Sequence, residues 1–203
     1  MLELAPKPFA RDGGPVRDVA ATENFIARQS AYIAQTSLFG YLKERMGTRY
    51  SEIFQNKEFS GAIKKASAHI FLSCAADLSI YVTARLWRAA PNLGDPSDFA
   101  CHVYDTAVRE GVGHLDVEID ADAAVNAFAA RLSQTDWGVV GDGENAFTQS
   151  PPDLLRNAPV LDDLKELDSE IVTNSMRFRW QTARRRWKDR ADPDAIAADW
   201  AVR

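Results

Sequence analysis

Few residues in this 203-residue chain have the type and spacing that chemistry needs, and the best aligned lie along one helical segment. His69, Ser73 and Asp77 recur at intervals of four, with Tyr81 one step further, so they share one ridge of a helix. A buried imidazole or carboxylate must find a partner, because leaving it unpaired is costly. Two readings of this polar seam compete. It is either a small-molecule site in a bundle interior, with His69 as base or ligand and Asp77 as its partner, or a hydrogen-bonded network that fixes helix packing. His102 and Asp105, three apart on the next helix, are the candidates to complete such a pocket. The packing network is the favoured reading. Three histidines so scattered do not make a metal site, which needs three or four ligands at fixed distances.

A second cluster is basic and aromatic. Between Met176 and Arg190, seven Arg or Lys and three aromatic residues fall within fifteen positions. Trp180 and Trp187 lie on the apolar stripe, flanked by Arg177, Arg179, Arg184 and Arg186, and with Arg185 they form the candidate interaction surface. Such a helix suits an acidic protein partner, an anionic membrane surface or nucleic-acid phosphates. The competing reading is intramolecular. Residues 105–170 carry fifteen acids against four bases and offer partners within the same chain, and arginine stacks readily on buried indole.

A third pattern, Asp116, Glu118, Asp120 and Asp122, is spaced by two. It fails as a calcium loop, since the positions that require Gly and Glu hold Ala121 and Ala127. Helix capping is the simpler role. The chain lacks a G-x-S-x-G elbow, a phosphate-binding P-loop, an H-E-x-x-H pair and the E-x-x-H pairs of di-iron bundles. No cofactor or metal is expected, and a non-enzymatic role is preferred over catalysis.

The elements that position these residues read as helices. Asp18 or Thr22 can cap a first helix reaching Met46 before Gly47, and a short helix is expected at Tyr50–Gln55. A second long helix runs from near Glu58 to about Arg88; its small-residue middle makes it the expected centre of the bundle. Ser97, after Pro96, is the expected cap of a third helix ending near Gly111. His114–Asp120 hints at a short extended segment, and Asp120 or Asp122 can cap the helix after it. Leu164, Leu167, Ile171, Val172, Met176, Trp180, Ala183 and Trp187 read as one continuous stripe on a last long helix, followed by a tail helix ending in Trp200. No heptad run is long enough for a coiled coil.

The expected fold is therefore an all-α bundle of about five to seven helices. An extended N-terminal arm covers residues 1–19, a single helical domain covers 20–203, and a long irregular loop occupies 133–159 within it. Composition fits a globular chain, 46% apolar and 26% charged. The net charge of −5 argues against wholesale nucleic-acid binding. The Ala66–Ala84 stretch contains His69 and Asp77 and reads as a buried helix rather than a membrane span. The N-terminus lacks the basic start and apolar run of a secretory signal. Two cysteines, Cys74 and Cys101, form no CxxC pair and suit the reducing cytoplasm. The favoured function is an adaptor, assembly factor or accessory subunit that acts through protein–protein contacts, with a protein partner or homo-oligomer expected. The alternatives are a pocket along His69–Asp77, and association with a membrane surface or nucleic acid through Arg177–Arg190.

Overall fold

Most helix starts in this chain are set by short polar side chains, Asp or Asn, that accept the otherwise unpaired first-turn N–H groups. The computed structural model describes residues 14–47, 56–113, 117–140 and 145–203. Asp18 rather than Thr22 caps α1 (Val19–Met46), its carboxylate accepting the Ala21 N–H at 2.7 Å. Gly47, at φ +53°, ends that helix in the left-handed region that glycine tolerates. Asn56 caps α2 (Lys57–Ala89) through the N–H groups of Glu58 and Phe59. A 3₁₀ turn at Pro91–Leu93 and Gly94 reverse the chain into α3 (Pro96–Gly113). Here the sequence expectation is corrected. Asp95, not Ser97, covers the start of α3, accepting the Ser97 N–H at 2.7 Å. The Ser97 hydroxyl instead accepts from Trp137 Nε1.

Asp120 caps α4 (Ala121–Leu132). The stretch 133–159, read as irregular, holds an eight-residue helix, α5 (Ser150–Asn157), with Pro151 in its first turn. It is followed by α6 (Asp162–Arg190) and α7 (Pro193–Trp200), the latter capped by Asp192. The described residues thus hold seven α-helices and no strand, an all-α bundle. The short helix expected at 50–55 lies outside the described residues, as do residues 1–13 of the arm and 114–116 of the expected extended segment.

The last residues of the arm are laid on the other end of the chain. Val16 makes a parallel bridge to Ala191, donating to Arg190 O at 2.8 Å and accepting from the Asp192 N–H at 2.9 Å. Arg190 reaches Gly14 O, and Asp199 accepts the Val19 N–H at 2.9 Å.

The expectation for α2 holds: it is the central helix, packed against α1, α3, α5 and α7. Ala66, Ala68, Ala75, Ala76 and Ala84 are buried along it. Small side chains at a contact shorten the distance between helix axes. At one point the shortening comes from the other side. A Cβ on Gly111 of α3 would overlap the buried Phe71 ring of α2, lying 2.6 Å from Cε1 and closer still to Cζ. Among the described residues α2 is also the one helix long and apolar enough to cross a membrane, and 83% of its most apolar window is buried inside the bundle.

Candidate functional site

The seam residue Asp77 is fully buried, and four donors are directed at its carboxylate. Its carboxylate accepts the N–H of Ser150 at 2.9 Å and of Gln149 at 3.3 Å, and the Ser150 hydroxyl at 2.7 Å. Arg131 of α4 adds a guanidinium nitrogen at 2.8 Å. Asp77 thus serves α5 as an N-terminal cap supplied from another helix, where a carboxylate also complements the helix dipole. Burial pushes the Asp77 carboxyl above its ordinary value, while Arg131 and Ser150 pull it back. Trp180 Nε1 donates to the Ser150 hydroxyl at 3.2 Å, so the network reaches α6. Arg131 holds the preceding segment as well, through Gln149, Ala146 O and Thr148. The whole arrangement ties α2, α4, α5 and α6 together without reaching solvent at Asp77. Its chemistry is that of a latch.

The other seam residues disperse. Ser73 is buried and turns its hydroxyl back to the carbonyls of His69 and Ile70. Tyr81 is buried with its ring 5.5 Å from that of Phe147. His69 is exposed, and with Ser73, Tyr104 and Gln149 it lines an open depression of about 390 Å³ that does not include Asp77. His102 and Asp105 do not complete a pocket there. His102 Nε2 lies 2.8 Å from Glu23 Oε1 of α1, and its ring packs 5.1 Å from Trp200 of α7. Asp105 pairs with Arg109 at 2.8 Å on the surface, and Arg109 also bonds Asp122 at 2.7 Å. The residues that join Asp77 are Arg131, Gln149, Ser150 and Trp180, which helical spacing could not bring to it.

In the acidic alternation, Asp116 lies outside the described residues, Glu118 is exposed, and Asp120 and Asp122 act as cap and ion-pair partner. Among the described residues no group of three metal-ligating side chains assembles.

The basic helix turns most of its named side chains inward. Trp180 and Trp187 are core residues, so the expectation that their indoles form an interaction surface is corrected. Trp180 stacks on Phe147 at 4.3 Å, and Trp187 meets Phe25 at 5.2 Å. Arg179 donates to the Ser37 hydroxyl at 3.0 Å and to Thr36 O at 3.2 Å, both on α1. Gly40 leaves room for that guanidinium, since a Cβ there would stand 3.3 Å from it. Arg186 donates to Gln29 at 3.0 Å and lies over Tyr32; Arg184 lies over Phe147. Arg177 donates to Asn174 of its own helix, and Arg185 is exposed. The contacts described for Arg179, Arg184 and Arg186 include neutral acceptors and ring faces. Arginine's weakly hydrated, planar head suits such contacts better than an ammonium would.

The apolar stripe of α6 is in fact two stripes. Val172, Met176, Trp180, Ala183 and Trp187 are buried, and Asp168 heads the same row. That carboxylate is held by the Tyr41 hydroxyl at 2.9 Å and by a two-pronged contact from Arg45. Leu167, Ile171 and Phe178 are 79%, 69% and 69% exposed. At ~100° per residue they lie roughly 150° around the helix from the buried row. Beside this outer ridge, α1 and α6 enclose an open groove of about 420 Å³ whose walls include Tyr41, Arg45, Asp168, Ile171 and Ser175. The chain matches no known protein family, no curated protein and no solved structure.

Proposed function

We propose that this chain is a non-catalytic docking module (an adaptor, assembly factor or accessory subunit) whose contact face is the outer ridge of α6. The observation that carries this reading is the exposure of Leu167, Ile171 and Phe178 on one face of a helix whose opposite face is fully engaged. Single exposed apolar residues are ordinary, but three large ones in a row beside a groove mark a contact surface. Such a ridge anchors a partner through a few apolar side chains surrounded by polar groups that exclude water. The charges along one flank of the ridge, Glu170 nearer its N-terminal end and Arg177 nearer its C-terminal end, supply orientation.

Affinity capture from the native host, comparing the wild-type chain with Phe178→Glu, tests this. The reading requires a defined binding partner, or a second copy of the chain, held by the wild type and lost from the variant. Retention of every partner by the Phe178→Glu chain would refute it. A small-molecule role has one observation in its favour, the depression beside His69, whose volume is that of ligand sites. Its test is a thermal-shift screen with the wild type against His69→Ala, where a ligand-dependent rise confined to the wild type supports it.

A further inference from the structure

We infer that the segment seated on the α6 ridge is a basic amphipathic helix of a partner protein. Its apolar face covers Leu167, Ile171 and Phe178, and its Lys or Arg side chains stand beside Glu44, Asp163 and Glu170. This rests on the reading of that ridge as a docking surface and names the chemistry of what docks.

Charge around the first half of the ridge is one-sided. Asp163, Glu166 and Glu170 are exposed on α6, and Glu44 is exposed on α1 at the wall of the groove of about 420 Å³. At ~100° per residue, Asp163 and Glu170 lie roughly 60–80° from the ridge on one side, with Glu166 further out. The groove and Glu44 lie on the other side, so acids border both flanks of the apolar strip. The bases nearest them are already occupied. Lys165, largely buried, pairs with Asp162, and Arg45 makes its two-pronged contact with Asp168. Among the described residues no hydrogen bond or ion pair engages the side chains of Glu44, Asp163, Glu166 or Glu170.

These charges do little for the helices that carry them. Asp163 does complement the dipole in the first turn of α6, but Glu166 and Glu170 lie beyond that turn. Glu44 stands in the last turn of α1, where the dipole disfavours an acid. Acids at the edge of an apolar contact favour cationic neighbours, speed their encounter and repel phosphate-rich surfaces. Anionic membranes and nucleic acid are therefore disfavoured at this face. Leu167, Ile171 and Phe178 recur at steps of four and seven, and such a strip beside a groove between two helices suits a helical ligand. The described residues hold no strand whose edge an extended peptide could join. From Asp163 to Phe178 the ridge is ~23 Å long, which about five turns of a partner helix cover.

Two labelled model helices of about eighteen residues test this by fluorescence anisotropy with the full chain. Both carry Leu at the same helix-spaced positions, and the polar positions between are Lys in one and Glu in the other. At about 50 mM salt the Lys helix is expected to bind with a Kd of roughly 10–100 µM, and the Glu helix at least ~10-fold more weakly. Glu170→Lys should weaken the Lys helix about fivefold. Glu118→Lys makes the same change in net charge at an exposed site off the ridge, and should leave binding within about twofold. Replacing Leu167 and Ile171 together by Asn should abolish binding without lowering the thermal melt, since both side chains are exposed. Equal binding of the two helices, no binding of the Lys helix, or equal losses from Glu170→Lys and Glu118→Lys overturns the inference. So does a wild type that sediments as a dimer which Phe178→Glu breaks, since a second copy then covers the ridge. If the Lys helix shows no preference yet Phe178→Glu loses its captured protein, the docking face stands and its occupant is not a basic helix.

Discussion

Replacing Asp77 by Ala removes the acceptor that four donors share. Arg131, whose side chain is only 17% exposed, would be left charged without its carboxylate. The Ser150 and Gln149 N–H groups would be left at a buried helix start. Breaking a buried pair by removing one partner costs ~3–5 kcal/mol, and losing a helix cap costs ~1 kcal/mol. The two losses overlap, so about 4 kcal/mol is expected for Asp77→Ala. In a chain of this size that lowers the melting temperature by roughly 8–16 °C. Arg131→Met leaves a buried carboxylate short of its cation and should cost ~3 kcal/mol. The double variant leaves neither charge unpaired, so its loss should fall at least ~2 kcal/mol below the sum of the singles. Urea unfolding followed by far-ultraviolet circular dichroism gives all three values. Tryptophan fluorescence reports the same transition through Trp180, which bonds Ser150. A loss below ~1 kcal/mol for Asp77→Ala, or simple additivity with Arg131→Met, would refute the latch.

Gly111→Ala should destabilise by ~1–2 kcal/mol although Ala is the better helix former, because overlap with Phe71 outweighs the ~1 kcal/mol gained in propensity. Pairing it with Phe71→Leu should recover part of the loss in a urea titration. The bond from the Val19 N–H is the main reason the Asp199 carboxyl is held below its ordinary value. Its contribution is therefore complete above that ordinary value and is lost as pH falls through the lowered one. The stability difference between wild type and Asp199→Asn should narrow steadily as pH drops from about 5 toward 2, measured by urea unfolding at each pH.

Much of the architecture was legible because it is local. Helix-spaced apolar residues, Gly47 after α1, and caps such as Asp18 and Asp120 act within one turn, so sequence order is enough to find them. The Ser97 cap was misplaced by two residues because Pro96 fits the first helical position, which shifts the capping role to Asp95. The seam was visible as a ridge, but its meaning was not. Ser150 and Arg131 close on Asp77 from 73 and 54 positions away, and nothing in a helical repeat encodes such a meeting. Asp168 did leave a signal, since it stands four residues before Val172 in the row that continues through Met176 and Trp180. A carboxylate at the head of a buried row calls for a cationic or hydroxyl partner, here Arg45 and Tyr41. The largest misreading was of α6. A broad apolar arc on a long helix does not say which part faces the core, and Phe178, outside the arc that helical spacing picks out, belongs to the outward ridge.

Site-specific photo-crosslinking in the native host tests most directly whether the outer ridge of α6 is where this protein works. A photoreactive amino acid placed at Phe178 should give discrete adducts. The same group at Glu118, exposed but off the ridge, should give none above background. Equal labelling at the two positions, or no adduct at Phe178, would contradict a docking role for this face.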